Sequence, residues 1–116
     1  MKKVITSPIS EKEYDRTKEL IKKVREATDR KPYATEIADQ VLRLTDETLT
    51  TAFLQPLDLI KAGTITKATA KMALNVAQSG VSGVVRKILK GLDNDQLLII
   101  VNFLDDMLIE VDDKES

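Results

Sequence analysis

Acidic residues near the C-terminus are the first candidates for chemistry, because several of them lie close together. Asp105, Asp106 and Glu110 form a narrow polar strip on a stretch with helical periodicity. Grouped carboxylates can hold a metal ion or share a proton. A di-metal site in a helical bundle draws carboxylates from several helices and usually adds histidine, which this chain lacks. We therefore expect a strip that faces water or pairs with a neighbouring helix, and no bound metal.

A second acidic group, Asp93-Asn94-Asp95, resembles the opening of a calcium-binding loop. Such a loop needs a glycine at its sixth position and a glutamate at its twelfth. Leu98 and Leu104 occupy those positions here. The group is instead typical of a helix cap.

The composition argues against an enzyme. The chain has no His and no Cys, so the commonest general base, the thiolate nucleophile and the usual nitrogen and sulfur metal ligands are missing. Neither a phosphate-binding glycine loop nor a nucleophile elbow occurs. We predict a protein without catalytic activity and without a cofactor.

The element that must position these groups is the apolar stretch from Asn94 to Val111. Its large apolar residues recur at steps of three and four, the spacing of one helix face: Leu97, Ile100, Val101, Leu104, Met107, Leu108 and Val111. Leu98, Ile99, Phe103 and Ile109 extend this face sideways. A helix so apolar is expected to be wrapped by other helices, from the same chain or from a second copy.

The rest of the chain also has helical periodicity and no strand-like alternation. A capping box at Ser10 and Glu13 predicts the start of the first helix, and Pro56 predicts a kink or stop near Leu54. Gly63 predicts a left-handed stop after the short piece that follows. Two glycines within Gly80–Gly83 predict a bend or break there. The sequence thus predicts an all-α, single-domain bundle of four to five helices over residues 10–111, with a lead-in at 1–9 and a frayed acidic tail at 112–116.

The near-neutral total charge conceals four blocks of alternating sign. Residues 1–33 sum to +4, residues 34–60 to −4, residues 61–92 to +6 and residues 93–116 to −7. The last two blocks are adjacent in sequence, so their helices are expected to pair within one chain or across a two-fold axis. Plain intramolecular pairing and association with another chain both remain open.

The basic block contains a stretch that resembles a known DNA-binding element. Residues 76–91 are similar to the helix-turn-helix of LacI-type repressors, whose turn carries Gly-Val-Ser and whose second helix carries an Arg, here Gly80-Val81-Ser82 and Arg86. The resemblance implies a turn near Gly80 and a recognition helix after it. Val84 and Val85 stand where such a helix would offer polar side chains to base edges. A second reading of this block is attachment to a membrane surface.

We favour a small cytoplasmic module that forms a homo-oligomer, such as a homodimer, or binds a protein partner. DNA binding through residues 66–91 is the alternative. No stretch is long and apolar enough for a membrane span, and the lysines near the N-terminus are not followed by the apolar run of a signal peptide. Two sets of side chains are predicted to contact the partner. The basic set is Lys67, Lys71, Arg86, Lys87 and Lys90, and the acidic set is Asp105, Asp106, Glu110, Asp112 and Asp113.

Overall fold

The first helix begins where the sequence predicts. The computed structural model describes Lys3 and residues 7–110, and α1 spans Glu11–Glu26. Ser10 caps this helix, since its hydroxyl oxygen accepts a hydrogen bond from the backbone N–H of Glu13 at 3.2 Å. Glu47, not Glu13, accepts the backbone N–H of Ser10 at 2.9 Å and its hydroxyl at 2.8 Å. The second half of the expected capping box is therefore supplied by another helix.

The second rod of the bundle is a bent series of helical segments. A 3₁₀ turn at Lys31–Tyr33 leads into α2, Ala34–Leu49, which continues through a π-helical turn, Thr50–Leu54, into α3, Gln55–Leu59. Within the π turn, the N–H of Gln55 donates to the carbonyl of Thr50, five residues back. Pro56 cannot donate a backbone hydrogen bond, and the widened turn directly before it accommodates that loss. The predicted kink near Leu54 is thus present, and the rod continues beyond it.

The left-handed stop after α3 lies at Lys61 and not at Gly63. Lys61 has a φ of 55°, whereas Gly63 has a φ of −68° and precedes α4. The N–H of Ala62 donates to the carbonyl of Leu57 at 2.9 Å, and the N–H of Lys61 donates to that of Asp58 at 3.1 Å. This is the Schellman pattern, which favours glycine where Lys61 stands because a Cβ crowds left-handed backbone.

Replacing Lys61 by glycine is expected to raise the free energy of unfolding by about 0.5–1 kcal/mol, because the Cβ strain disappears at a small entropic cost. Urea denaturation would measure the change. Lys61→Ala is the matched control, since it removes the charge and keeps the Cβ, and it should give no gain. Equal gains from both variants would attribute the effect to charge and contradict the backbone argument.

The third rod, α4, is one continuous helix over Thr64–Lys90. Of the predicted bend or break at Gly80–Gly83, a break is not present, because helical hydrogen bonding continues through both glycines. Residues on either side are held against α2: the amide of Gln78 donates to the carbonyl of Leu42 at 2.9 Å, and Arg86 pairs with Asp39. The turn that a helix-turn-helix requires is therefore not formed.

The last rod, α5, spans Asn94–Met107 and begins at a complete capping box. The side chain of Asp93 accepts the N–H of Gln96 at 2.8 Å, and the side chain of Gln96 accepts the N–H of Asp93 at 2.9 Å. The interpretation of Asp93 as a cap is confirmed. The helix ends earlier than Val111, which lies outside the described residues together with 112–116.

The core lies at one end of the molecule, between α1, the first half of α2, the last turns of α4 and one face of α5. Its buried apolar side chains are all aliphatic: Leu20, Ile21, Val24, Ala34, Ile37, Ala38, Leu89, Leu97, Val101 and Leu104. None of the buried residues comes from 43–88, and from that range Leu44 and Val85 pack against the core while only half-buried. The second half of α2, α3 and most of α4 form a hairpin that extends beyond the core. The radius of gyration of 16.3 Å accordingly exceeds the about 13 Å expected for a compact domain of this length.

A buried polar network joins α1 to α2. Gln40 is 1% exposed, and its amide nitrogen donates to the carboxylate of Glu13 and to the hydroxyl of Thr17, both at 2.8 Å. Arg16 binds the other carboxylate oxygen of Glu13 at 3.2 Å. Buried polar groups are tolerated only when they are hydrogen-bonded, so this network fixes the register of the two helices.

The predicted fold class, an all-α bundle, is confirmed. Helices form four rods over the described residues, and no strand is found within 7–110. None of these helices is long and apolar enough to cross a membrane.

Candidate protein-binding surface

The charged blocks pair differently from what sequence adjacency suggests. Asp105 of the acidic block lies between two basic residues of α1, with Lys18 Nζ at 2.6 Å and Arg25 Nη2 at 3.0 Å. Arg25 also donates to the side-chain oxygen of Asn102 at 2.9 Å. The first block therefore binds the fourth.

The two middle blocks pair with each other. Arg86 of α4 contacts Asp39 of α2 at 2.7 Å, and Lys67 contacts Asp58 of α3 at 2.8 Å. No salt bridge joins α4 to α5 within residues 7–110. The expected pairing of the last two blocks inside one chain is thus wrong for the part of the chain described.

The ion pairs of Asp105 shift the pKa of its own carboxyl and the pKa of the Lys18 amine. Hydrogen bonds from Lys18 and then from Arg25 lower the pKa of the Asp105 carboxyl below 3.8. The same bond to Asp105 raises the pKa of Lys18. Because the folded carboxyl has the lower pKa, its contribution to stability is present above about pH 4 and is lost as the pH falls through the folded value.

Asp105→Asn is expected to lower the melting temperature at pH 7, and this deficit should shrink as the pH falls below about 4 and through the lowered pKa of the folded wild-type carboxyl, which then takes up a proton as well. Thermal unfolding followed by circular dichroism over a pH series from 7 downwards would measure it. Asp106→Asn makes the same charge change at the next, exposed position, which has no ion pair in the described structure, and should have little effect. A deficit that does not decrease at all as the pH falls through the acid range would contradict the ion-pair explanation.

The predicted basic set does not form one face. Lys67 and Arg86 face α3 and α2 and are engaged there. Lys71, Lys87 and Lys90 are exposed, and none of them contacts a carboxylate among residues 7–110. These three lysines are the members of the basic set that have no ion-pair partner in the described structure.

The predicted acidic set is divided in the same way. Asp105 is used by α1, whereas Asp106 and Glu110 are exposed. Glu110 lies beside Tyr14, whose pKa is raised by desolvation and by that carboxylate against the opposing charge of Lys18. Asp112 and Asp113 fall outside the described residues.

The candidate acidic side chains neither form a metal-binding cluster in the described ranges nor line either of two surface depressions. No three acidic side chains converge on a metal position anywhere in the described ranges. A depression of about 190 Å³ between α1 and α2 is lined mainly by charged residues of both signs, and one of about 330 Å³ beside the Asp39–Arg86 pair is open. Asp105, Asp106 and Glu110 line neither of them.

The most unusual feature of the surface is the outward face of α4. Ile65, Met72 and Val76 are 84%, 69% and 75% exposed, and their spacing of seven and four places them on one side of the helix. Gly80 and Gly83 continue this line, and we call these five residues the α4 stripe. The half-buried Leu74 and Gln78 lie on the opposite side, towards α2.

Sequence reasoning missed the α4 stripe. The sequence contained the pattern, since Ile65, Met72 and Val76 recur at helical spacing and the residues between them include many Ala, Thr and Gly. The two glycines instead suggested a break, which divided the pattern at the point where it is continuous.

Nothing in the folded chain requires glycine in this stripe. A Cβ built on Gly80 or Gly83 meets no atom within 4 Å, although glycine inside a helix costs about 1 kcal/mol relative to alanine. Gly80→Ala and Gly83→Ala are each expected to raise the free energy of unfolding by about 0.5–1 kcal/mol. Urea denaturation at low protein concentration would measure this for the isolated chain. A loss of stability would mean that each glycine already contacts another part of the chain.

No protein-family model matches the chain, and no curated protein or solved structure is significantly similar to it.

Proposed function

We propose that this protein is a small, non-catalytic, cytoplasmic module that binds protein, either a second copy or another chain, through the α4 stripe. The observation that carries the proposal is the exposure of Ile65, Met72 and Val76 in one line on a helix. Scattered apolar residues are normal on a surface, but an aligned apolar face is typical of an interaction site. A helical face of this kind is suited to packing against another helix.

The charges beside the stripe support a protein ligand with acidic groups. α4 contains no Asp or Glu between Thr64 and Lys90, and Lys87 and Lys90 lie near the line of the stripe by helical spacing. A partner with an apolar face bordered by carboxylates would match this surface.

No observation favours the alternative of DNA binding. α4 continues through Gly80, so the turn of the LacI-type element is missing. Arg86, the counterpart of the recognition-helix arginine, is engaged by Asp39.

Site-specific photo-crosslinking in cells that make the protein would test the binding surface. A benzophenone amino acid at position 72 is expected to give a defined protein adduct, and Val76→Lys in the same chain should abolish it. The matched control is the same probe at position 22, which is exposed on α1 and should give no such adduct. Absence of an adduct at position 72, or equal adducts at both positions, would refute the proposal.

A further inference from the structure

A second apolar line lies on the outward face of α5. Ile99, Phe103 and Met107 follow each other at steps of four and are 64%, 59% and 63% exposed. They lie away from Leu97 and Val101, which are fully buried on the core side of the same helix. We call these three residues the α5 stripe.

The two stripes have opposite charge. Asp95 and Asp106 border the α5 stripe by helical spacing, both are exposed, and no Lys or Arg occurs from Asn94 to Glu110. The α4 stripe has lysine neighbours and no acid in its helix. Two α4 stripes therefore repel each other, as do two α5 stripes, whereas an α4 stripe attracts an α5 stripe.

The stripes of one molecule are not able to meet. α4 faces α2 with its inner side, and α5 packs into the core with its inner side, so both stripes point outward. Only three residues connect the two helices. An α4 stripe can therefore meet an α5 stripe only on a different molecule.

On these grounds we propose that the α4 stripe of one copy packs against the α5 stripe of a second copy. This inference rests on the proposed function and names the partner. In a two-fold dimer the contact occurs twice, since each copy supplies both stripes.

The shapes of the two stripes fit this arrangement. Ile65 to Val76 spans roughly 16 Å along α4 and Ile99 to Met107 roughly 12 Å along α5, at about 1.5 Å per residue. The open space around Gly80 and Gly83 lets a second helix approach closely, and Phe103 supplies a bulky side chain to fill it.

The area of the stripes is adequate for a specific dimer. A fully buried Ile, Val, Met or Phe side chain removes roughly 60–120 Å² of apolar surface from water. Because the six side chains of the two stripes are 59–84% exposed in the single chain, the area that they can still bury is roughly 250–500 Å² per copy. A standard interface buries about 800 Å² per partner, of which a little over half is apolar.

Charge reversal in two complementary variants tests the pairing. Lys87→Glu/Lys90→Glu makes both stripes of a chain acidic, and Asp95→Lys/Asp106→Lys makes both basic. Light scattering of the wild type at low salt should give twice the chain mass of 12.9 kDa, whereas each variant alone should stay monomeric, with its dissociation constant raised at least tenfold. An equimolar mixture of the two variants should restore the dimer mass, because each contact then joins opposite charges. Circular dichroism would confirm that both variants are folded.

The two phenylalanines provide a matched pair for the apolar contact. Phe103 and Phe53 are the only Phe residues and have similar exposure, 59% and 56%, but Phe53 lies in the π turn outside both stripes. Phe103→Ala should raise the dissociation constant about tenfold or more, and Phe53→Ala should leave it unchanged. A wild type that is monomeric at millimolar concentration, or a mixture that does not associate, would overturn the pairing. A monomer that still gives a photo-adduct with a different protein at position 72 would overturn this inference and leave the proposed function standing.

Discussion

Leu97→Ala is expected to lower the free energy of unfolding by about 3 kcal/mol. Leu97 is fully buried at the centre of the core, on the inner face of α5. Truncation removes its transfer free energy and leaves a cavity that the surrounding helices fill only partly. Domains of this size have a total stability of about 5–15 kcal/mol, so the loss is a large fraction and should lower the melting temperature by about 10 °C.

Ile99→Ala is the control on the same helix, two positions further on. Ile99 is 64% exposed, so its truncation should change the stability of the isolated chain by no more than about 0.5 kcal/mol. Denaturant unfolding at low protein concentration would compare the two variants. Similar losses for both would mean that α5 is covered on both faces, contrary to the structure.

This comparison shows what the apolar pattern of α5 can and cannot predict. The pattern identified the core helix, because only burial accounts for so many aliphatic side chains. It also placed Met107 on the buried face, and this was wrong, since Met107 is 63% exposed. Periodicity gives the direction of each side chain relative to its own helix. Whether that side chain is buried depends on the neighbouring helices, and these pack against only one face of α5.

The charge pattern had a similar limit. Counting residues revealed four blocks, and blocks of opposite sign do form ion pairs in the described structure. Their pairing depends on tertiary topology: Arg25 and Asp105, eighty positions apart, meet because α1 and α5 are neighbours. The sequence-adjacent blocks of α4 and α5 form no ion pair within the described residues.

The glycines of α4 show local propensity overridden by packing. Two glycines cost about 2 kcal/mol in a helix, and for an isolated peptide this favours a break. In the folded chain, Gln78 is bound to α2 before the glycines and Arg86 after them. Because contacts with α2 hold the segment on both sides of the glycines, a continuous helix is more stable there than a turn.

The Gln40 network had no recognisable signal in the sequence, because a single glutamine inside a helical pattern is most often exposed. Its burial follows from the approach of α1 to α2, which brings the amide within 2.8 Å of both Glu13 and Thr17. A network of this kind is stabilising only when every buried member has a partner. Its disruption therefore gives the second large expected effect.

Gln40→Glu keeps the shape of the side chain and replaces the donating amide by a carboxylate that faces the carboxylate of Glu13. Two like charges in a site this buried repel strongly, and the hydroxyl of Thr17 loses its donor. We expect a loss of about 3 kcal/mol at pH 7. Because repulsion raises the pKa of the introduced carboxyl, the loss should be present above about pH 5 and should decrease as the pH falls and one of the two groups takes up a proton.

Gln55→Glu is the control, since it makes the same change at an exposed position and should alter stability by less than about 0.5 kcal/mol. Denaturant unfolding of both variants at pH 7 and pH 4 decides the matter: a Gln40→Glu deficit that is small at pH 7, or equally large at pH 4, would mean that the buried amide is not what holds α1 against α2.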